Sequence, residues 1–152
     1  LEILFSTSTS HYGIWILRML AIYAILLLTL MSMSTLAYFL FAEFPFAWGG
    51  LNAFLPAFLV VNITFFFAIL CRSGNTAGML SLGLIIVVLL SSESLSSTPY
   101  FLFLNPFEPP MGADDTLWYE EALINRLAIA GGGALFLFLA LRRMEYRERL
   151  LA

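Results

Sequence analysis

The sequence predicts an all-α polytopic membrane protein that crosses the bilayer about four times. Three observations predict it. The 152 residues are 61% apolar and 11% charged, with a mean hydropathy of +0.94. Apolar runs of about bilayer length alternate with short polar breaks. The arginines gather on one side of the topology those runs define. A water-soluble domain is nearer half apolar and a quarter charged. So short a chain has too little interior to hide the surplus, because small domains keep much of their surface exposed. Hydrocarbon as solvent removes the conflict.

Four apolar segments are expected as membrane helices: 14–41, 51–71, 76–92 and 122–141. The first is long for one crossing and holds a single charge, Arg18, near its start, where a long side chain reaches the head groups. Glu43, Pro45 and Gly49-Gly50 end it. The second carries Pro56 about one turn in and Asn62 at its middle. Arg72-Ser73-Gly74-Asn75 is a polar turn. The third has a short apolar part and either continues through Ser91 and Ser92 or stops inside the membrane. Glu120-Glu121 and Arg142-Arg143 bound the fourth, and a charged tail, 142–152, follows. These segments form one transmembrane domain, 1–152, opening on a short N-terminal amphipathic piece, 1–12. No basic region precedes a short apolar stretch, so no signal peptide is read at this start; beginning at Leu1, the chain reads as either processed or, the favoured reading, a portion of a longer protein.

Charge sets the orientation. With both ends cytoplasmic, Arg18, Arg72, Arg142, Arg143, Arg147 and Arg149 face inward, and only Arg126 lies at the outer boundary. The outer loops hold Glu43, Glu93, Glu108, Asp114, Asp115, Glu120 and Glu121. This is the positive-inside pattern, and the reverse topology inverts it.

The outer loop, 93–121, contains an aromatic run at 100–104, too short to span, followed by Asn105-Pro106-Phe107-Glu108-Pro109-Pro110. The prolines remove amide donors and restrict their predecessors, which excludes regular helix. Two readings fit: a re-entrant segment covered by other protein, or an interfacial loop with Trp118 and Tyr119 anchoring the last helix.

Site chemistry is sparse. His11 is the sole histidine and lacks a positioned partner, which argues against a general base. A single Cys71, no HExxH and no His–carboxylate cluster leave no basis for a metal centre or haem. The carboxylate pairs Asp114-Asp115 and Glu120-Glu121 read as a solvated face, with glutamate favoured at a helix start by the macrodipole. No P-loop is present, and the net charge of −3 carries no basic excess for nucleic acid. The expected helix cores hold hydroxyls and Asn62 but no Asp, Glu or Lys, unlike the paths of most ion-coupled carriers. Ser32, Ser34, Thr35 and Gly131-Gly132-Gly133 read as helix-packing positions. No enzyme activity, cofactor or metal is expected of the chain itself.

The two ends carry a more specific pattern. Glu2, Leu4, Phe5, Ser6, Thr7 and Ser10 precede the first span as an amphipathic piece and then a polar Ser/Thr turn. This resembles the cytoplasmic segment of ABC-2 type permeases, where a stretch like E-L-L-x-S-T-P-x-S-R leads into the third of six membrane helices. Ser8 stands where that family usually has proline, and His11 where a basic residue is common. Asn105-Pro106-Phe107, Trp118, Asn125-Arg126-Leu127, Arg142-Arg143 and Glu148-Arg149-Leu150 are similar to the family's C-terminal end. The resemblance covers nearly the whole chain as the last four of six helices, through loose motifs.

It implies a permease subunit of an ATP-driven exporter in the bacterial inner membrane, forming half of a translocation path with a second permease. An ATP-binding subunit would dock on the segment carrying Glu2, Leu4, Phe5, Ser6, Thr7 and Ser10, with Arg72 nearby. The outer segment 100–110 would act as a gate. The alternative is a non-catalytic structural subunit of a large respiratory or photosynthetic complex, whose many Phe residues face lipid, quinones or pigments.

Overall fold

A computed structural model describes residues 11–41, 45–95, 98, 101–107, 109 and 115–149. Every regular element among them is helical: α1 (His11–Leu40), α2 (Phe46–Cys71), α3 (Gly74–Leu90), α4 (Ser92–Leu95) and α5 (Asp115–Arg149). Three helices are long and apolar enough to cross a membrane, over Gly13–Leu40, Phe46–Cys71 and Leu117–Met144. α3 is as apolar but has only 17 residues, about 25 Å of helix against a hydrocarbon core of about 30 Å. The expected four crossings thus resolve into three full-length spans and one short apolar helix. The side chains facing outward are those of a lipid-exposed surface: Phe39, Met79 and Leu90 are each at least 75% exposed. The fold is that of a multi-pass helical membrane protein in contact with the bilayer.

Helix boundaries depart from the sequence expectation in instructive ways. α2 begins five residues before 51, because Ala47, Trp48 and the Gly49-Gly50 pair continue the helix rather than break it. Pro56 therefore lies nearly three turns in, where its missing N–H leaves one backbone carbonyl without its usual donor. α5 begins at Asp115, seven residues before 122, and runs unbroken to Arg149. Glu120 and Glu121 sit within the helix rather than at its start.

The link between α2 and α3 takes two residues. Arg72 adopts the left-handed conformation, φ 56°, which reverses the chain after a helix C-terminus. Ser73 then caps α3, its hydroxyl accepting from the Thr76 amide at 3.3 Å. α3 ends at Leu90, with the Ser91 hydroxyl donating to the Val87 carbonyl at 2.9 Å. The polar turn expected over 72–75 is shorter, because Gly74 and Asn75 already belong to α3, and α3 stops at Leu90, before Ser91 and Ser92.

Contacts divide the chain into two compact units, Leu1–Phe54 and Leu55–Ala152. In the first, Gly50 is buried, and a Cβ built on it meets Met31 Sδ at 2.6 Å. The Ser34 hydroxyl donates to the Phe46 carbonyl at 2.7 Å, and the Tyr38 and Phe46 rings are 5.9 Å apart. In the second, Gly133 faces the Phe58 ring, Gly132 touches Leu59, and Phe66 packs on Phe136 with centroids 5.6 Å apart. Small residues let the backbones of α2 and α5 approach closely. Gly131 meets open space instead.

Candidate functional site

A buried polar group and a buried aromatic ring, Asn125 and Trp118, come together where the outer segment meets the start of α5. Trp118, Ala122, Asn125, Ile129, Gly133 and Ala140 are all buried, and their spacing of three, four or seven residues places them on one helical face. Leu104 lies against this stripe with Trp118 and Ala122, and Phe101 packs on the cluster. Leu104 is 3% exposed and Trp118 5%.

Two side chains of α5 fasten the segment. Asn125 donates through Nδ2 to the Phe101 carbonyl at 3.1 Å, and Arg126 donates through Nη2 to the Leu104 carbonyl at 2.6 Å. Both carbonyls belong to a stretch of irregular backbone, residues 101–107, whose turns include weak closures from the Phe101 amide to Thr98 and from the Leu104 amide to Phe101. Asn105 tightens the next turn by accepting from the Phe107 amide at 3.1 Å. Such backbone has carbonyls to spare, and low-dielectric surroundings make each unpaired one costly. The amide and guanidinium of α5 supply donors where helix or sheet would otherwise do so.

Residues 101–107 form turns with a buried central leucine, held to the last helix by named side chains. The re-entrant and interfacial readings both required irregular backbone here; the pinning to α5 is the added finding. Trp118 turns inward rather than serving as an exposed interfacial anchor, whereas Tyr119 is 65% exposed. The Trp118 indole N–H is buried and has no hydrogen-bond partner among the described residues.

Arg126, counted in the sequence as an outer-boundary charge, makes a contact across 22 residues of chain. The available signal was the stripe Trp118, Ala122, Asn125, which extends the apolar periodicity of α5 past the Glu120-Glu121 pair.

Beside the clasp, a cavity of about 380 Å³ is lined by Leu59 of α2, Leu102 of the outer segment, and Glu121, Ile124, Asn125, Ala128 and Ile129 of α5. Deeper along the helices the polar groups are spent locally. Asn62, fully buried, donates to the Phe58 carbonyl at 2.9 Å. Thr64 Oγ1 lies 2.8 Å from both the Val60 carbonyl and the Ser81 hydroxyl. In α1, Thr29, Ser32 and Thr35 each donate to the carbonyl four residues back. Arg18 sits over the Trp15 ring at 5.2 Å, a cation–π pair one turn apart. No group of three or more His, Cys, Asp or Glu able to hold a metal occurs among the described residues.

Of the residues expected to contact an ATPase, Arg72 is exposed at the α2–α3 turn. Glu2, Leu4, Phe5, Ser6, Thr7 and Ser10 lie outside the described residues. No family model, curated protein or solved structure matches the chain.

Proposed function

We propose that the chain is a membrane-spanning permease subunit of an ATP-driven exporter of the ABC-2 type, set in a bacterial inner membrane with both ends cytoplasmic. The observation that carries this reading is the clasp. Asn105-Pro106-Phe107, Trp118 and Asn125-Arg126 are the outer-end features of the resemblance, and the same stretch of chain forms a segment fastened onto the last helix. A pore half needs such an element: irregular enough to move, yet with its backbone polar groups satisfied when closed.

In this reading two permeases enclose the path and each docks on an ATP-binding subunit. Nucleotide-driven closure of the ATPases pushes on the coupling segment, Glu2 to Ser10, and Arg72 in the other inner loop is a second expected contact. Cargo leaves when segment 101–107 is released from α5. The driving term is the differential affinity of ATP for the two states. The chain supplies no catalytic residue, and hydrolysis belongs to the partner.

The experiment is purification of the tagged chain from its native membranes, with photocrosslinkers at Leu4 and Phe5. The expected result is an ATP-binding subunit that copurifies in stoichiometric amount and crosslinks through both positions. Copurification with cofactor-bearing subunits and no ATPase would overturn the proposal in favour of a structural subunit.

A further inference from the structure

The cavity beside the clasp has a composition that selects a ligand. Five of its seven lining residues are apolar: Leu59, Leu102, Ile124, Ala128 and Ile129. Glu121 is the one ionisable group on the wall. Glu121, Asn125 and Ala128 share one face of α5, at spacings of four and three residues. Ile129 lies eight residues from Glu121, about 12 Å along the helix axis. The wall thus runs from a carboxylate to a purely aliphatic end.

The nearby cation does not line the cavity. Arg126 is absent from the wall, and its guanidinium is turned to the Leu104 carbonyl at 2.6 Å. Glu120, also exposed, adds negative charge beside Glu121. An anionic amphiphile would meet like charge there, and a phospholipid would bring its phosphate against the same pair. No aromatic ring lines the wall to receive a quaternary ammonium. A primary ammonium brings three N–H donors to a carboxylate.

We propose that this cavity binds a single-chain amphiphile with a primary ammonium head, the head on Glu121 and the tail along Ile124, Ala128 and Ile129 toward Leu59 and Leu102. The site depends on the membrane fold alone and stands whether or not the chain moves cargo.

The test uses the chain in phosphatidylcholine nanodiscs and equilibrium binding of radiolabelled dodecylamine, with empty discs subtracted and dodecanol and dodecanoate as comparison ligands. The expected result is saturable binding of one dodecylamine per chain, tighter than either comparison ligand. Glu121→Gln weakens it roughly fivefold, the size of an exposed ion pair, and Glu120→Gln, which is off the wall, weakens it clearly less. Ala128→Trp, which fills the trough, abolishes it. Thermal melts of each variant confirm folding.

Equal weakening by Glu120→Gln and Glu121→Gln would reduce the effect to diffuse surface charge and overturn the site. So would equal affinity for all three ligands, or full binding by folded Ala128→Trp. Displacement of dodecylamine in discs enriched in phosphatidylethanolamine would assign the cavity to a membrane lipid, against the proposal.

Discussion

Arg126 and Leu104 stand 22 residues apart in the chain, yet the guanidinium of the first donates to the backbone carbonyl of the second at 2.6 Å. With Asn125 on the Phe101 carbonyl one turn of backbone away, this contact decides where the irregular outer segment rests. A hydrogen bond from a charged donor is worth about 1.5–3 kcal/mol. Arg126→Ala should therefore raise hydrogen exchange of the amides in 101–107 by about 10- to 100-fold, with α3 amides unchanged. Unaltered exchange in 101–107 would show that Leu104 and Phe101 hold the segment by apolar packing alone.

The Trp118 indole is buried with its N–H unpartnered among the described residues. Its contribution is then ring packing against Leu104 and Ala122. Trp118→Phe should cost less than about 1.5 kcal/mol, since it keeps an aromatic ring and deletes an unsatisfied donor. Trp118→Ala should cost about 3–5 kcal/mol. Unfolding in mixed micelles with increasing denaturing detergent gives both values.

Gly131 and Gly133 of α5, two residues apart, should respond in opposite directions. A Cβ at Gly133 falls 2.5 Å from the Phe58 ring and 3.4 Å from the Leu59 Cα, so Gly133→Ala forces the ring aside, at about 1–3 kcal/mol. Gly131 faces open space, and Gly131→Ala should stabilise the helix by up to about 1 kcal/mol. Paired melting curves separate the two.

Arg72 holds a left-handed conformation, φ 56°, that costs an ordinary residue about 1–2 kcal/mol and glycine almost nothing. Arg72→Gly should raise the melting temperature of the purified chain. If Arg72 also serves an ATPase contact, the same variant will be more stable and less well coupled, a combination that a purely structural role does not produce.

Thr64 and Ser81 join α2 to α3 through hydroxyls 2.8 Å apart. Interhelical hydrogen bonds of this kind average about 0.6 kcal/mol in membranes. A double-mutant cycle with Thr64→Val and Ser81→Ala should return a coupling energy of that order. A value near zero would mean that the Val60 carbonyl alone satisfies Thr64.

The legible part of the candidate site was its chemistry rather than its wiring. Pro106 and Pro109 announce irregular backbone, because each proline lacks a donor, and Trp118, Ala122 and Asn125 follow the helical period. Which carbonyls those side chains would reach could not be read, since Phe101 and Leu104 are separated from α5 by a connection whose path the sequence leaves open. The boundary at Asp115 was missed for a related reason. Glu120 and Glu121 mark where apolar composition begins, whereas a helix starts where backbone donors are first capped or solvated.

The sequence by itself determined the solvent and the class of fold. With 61% apolar and 11% charged residues, only hydrocarbon accommodates the chain, and hydrocarbon admits backbone as helix or closed barrel. It also announced a polar turn at Arg72-Ser73-Gly74-Asn75, of which Arg72 and Ser73 form the observed link. Tertiary structure alone decided which faces meet: Gly133 against Phe58 and not Gly131, and Arg126 on the Leu104 carbonyl. In lipid the apolar faces of a helix are nearly equivalent, so pairing is settled by close fit and by the few polar groups that must find each other.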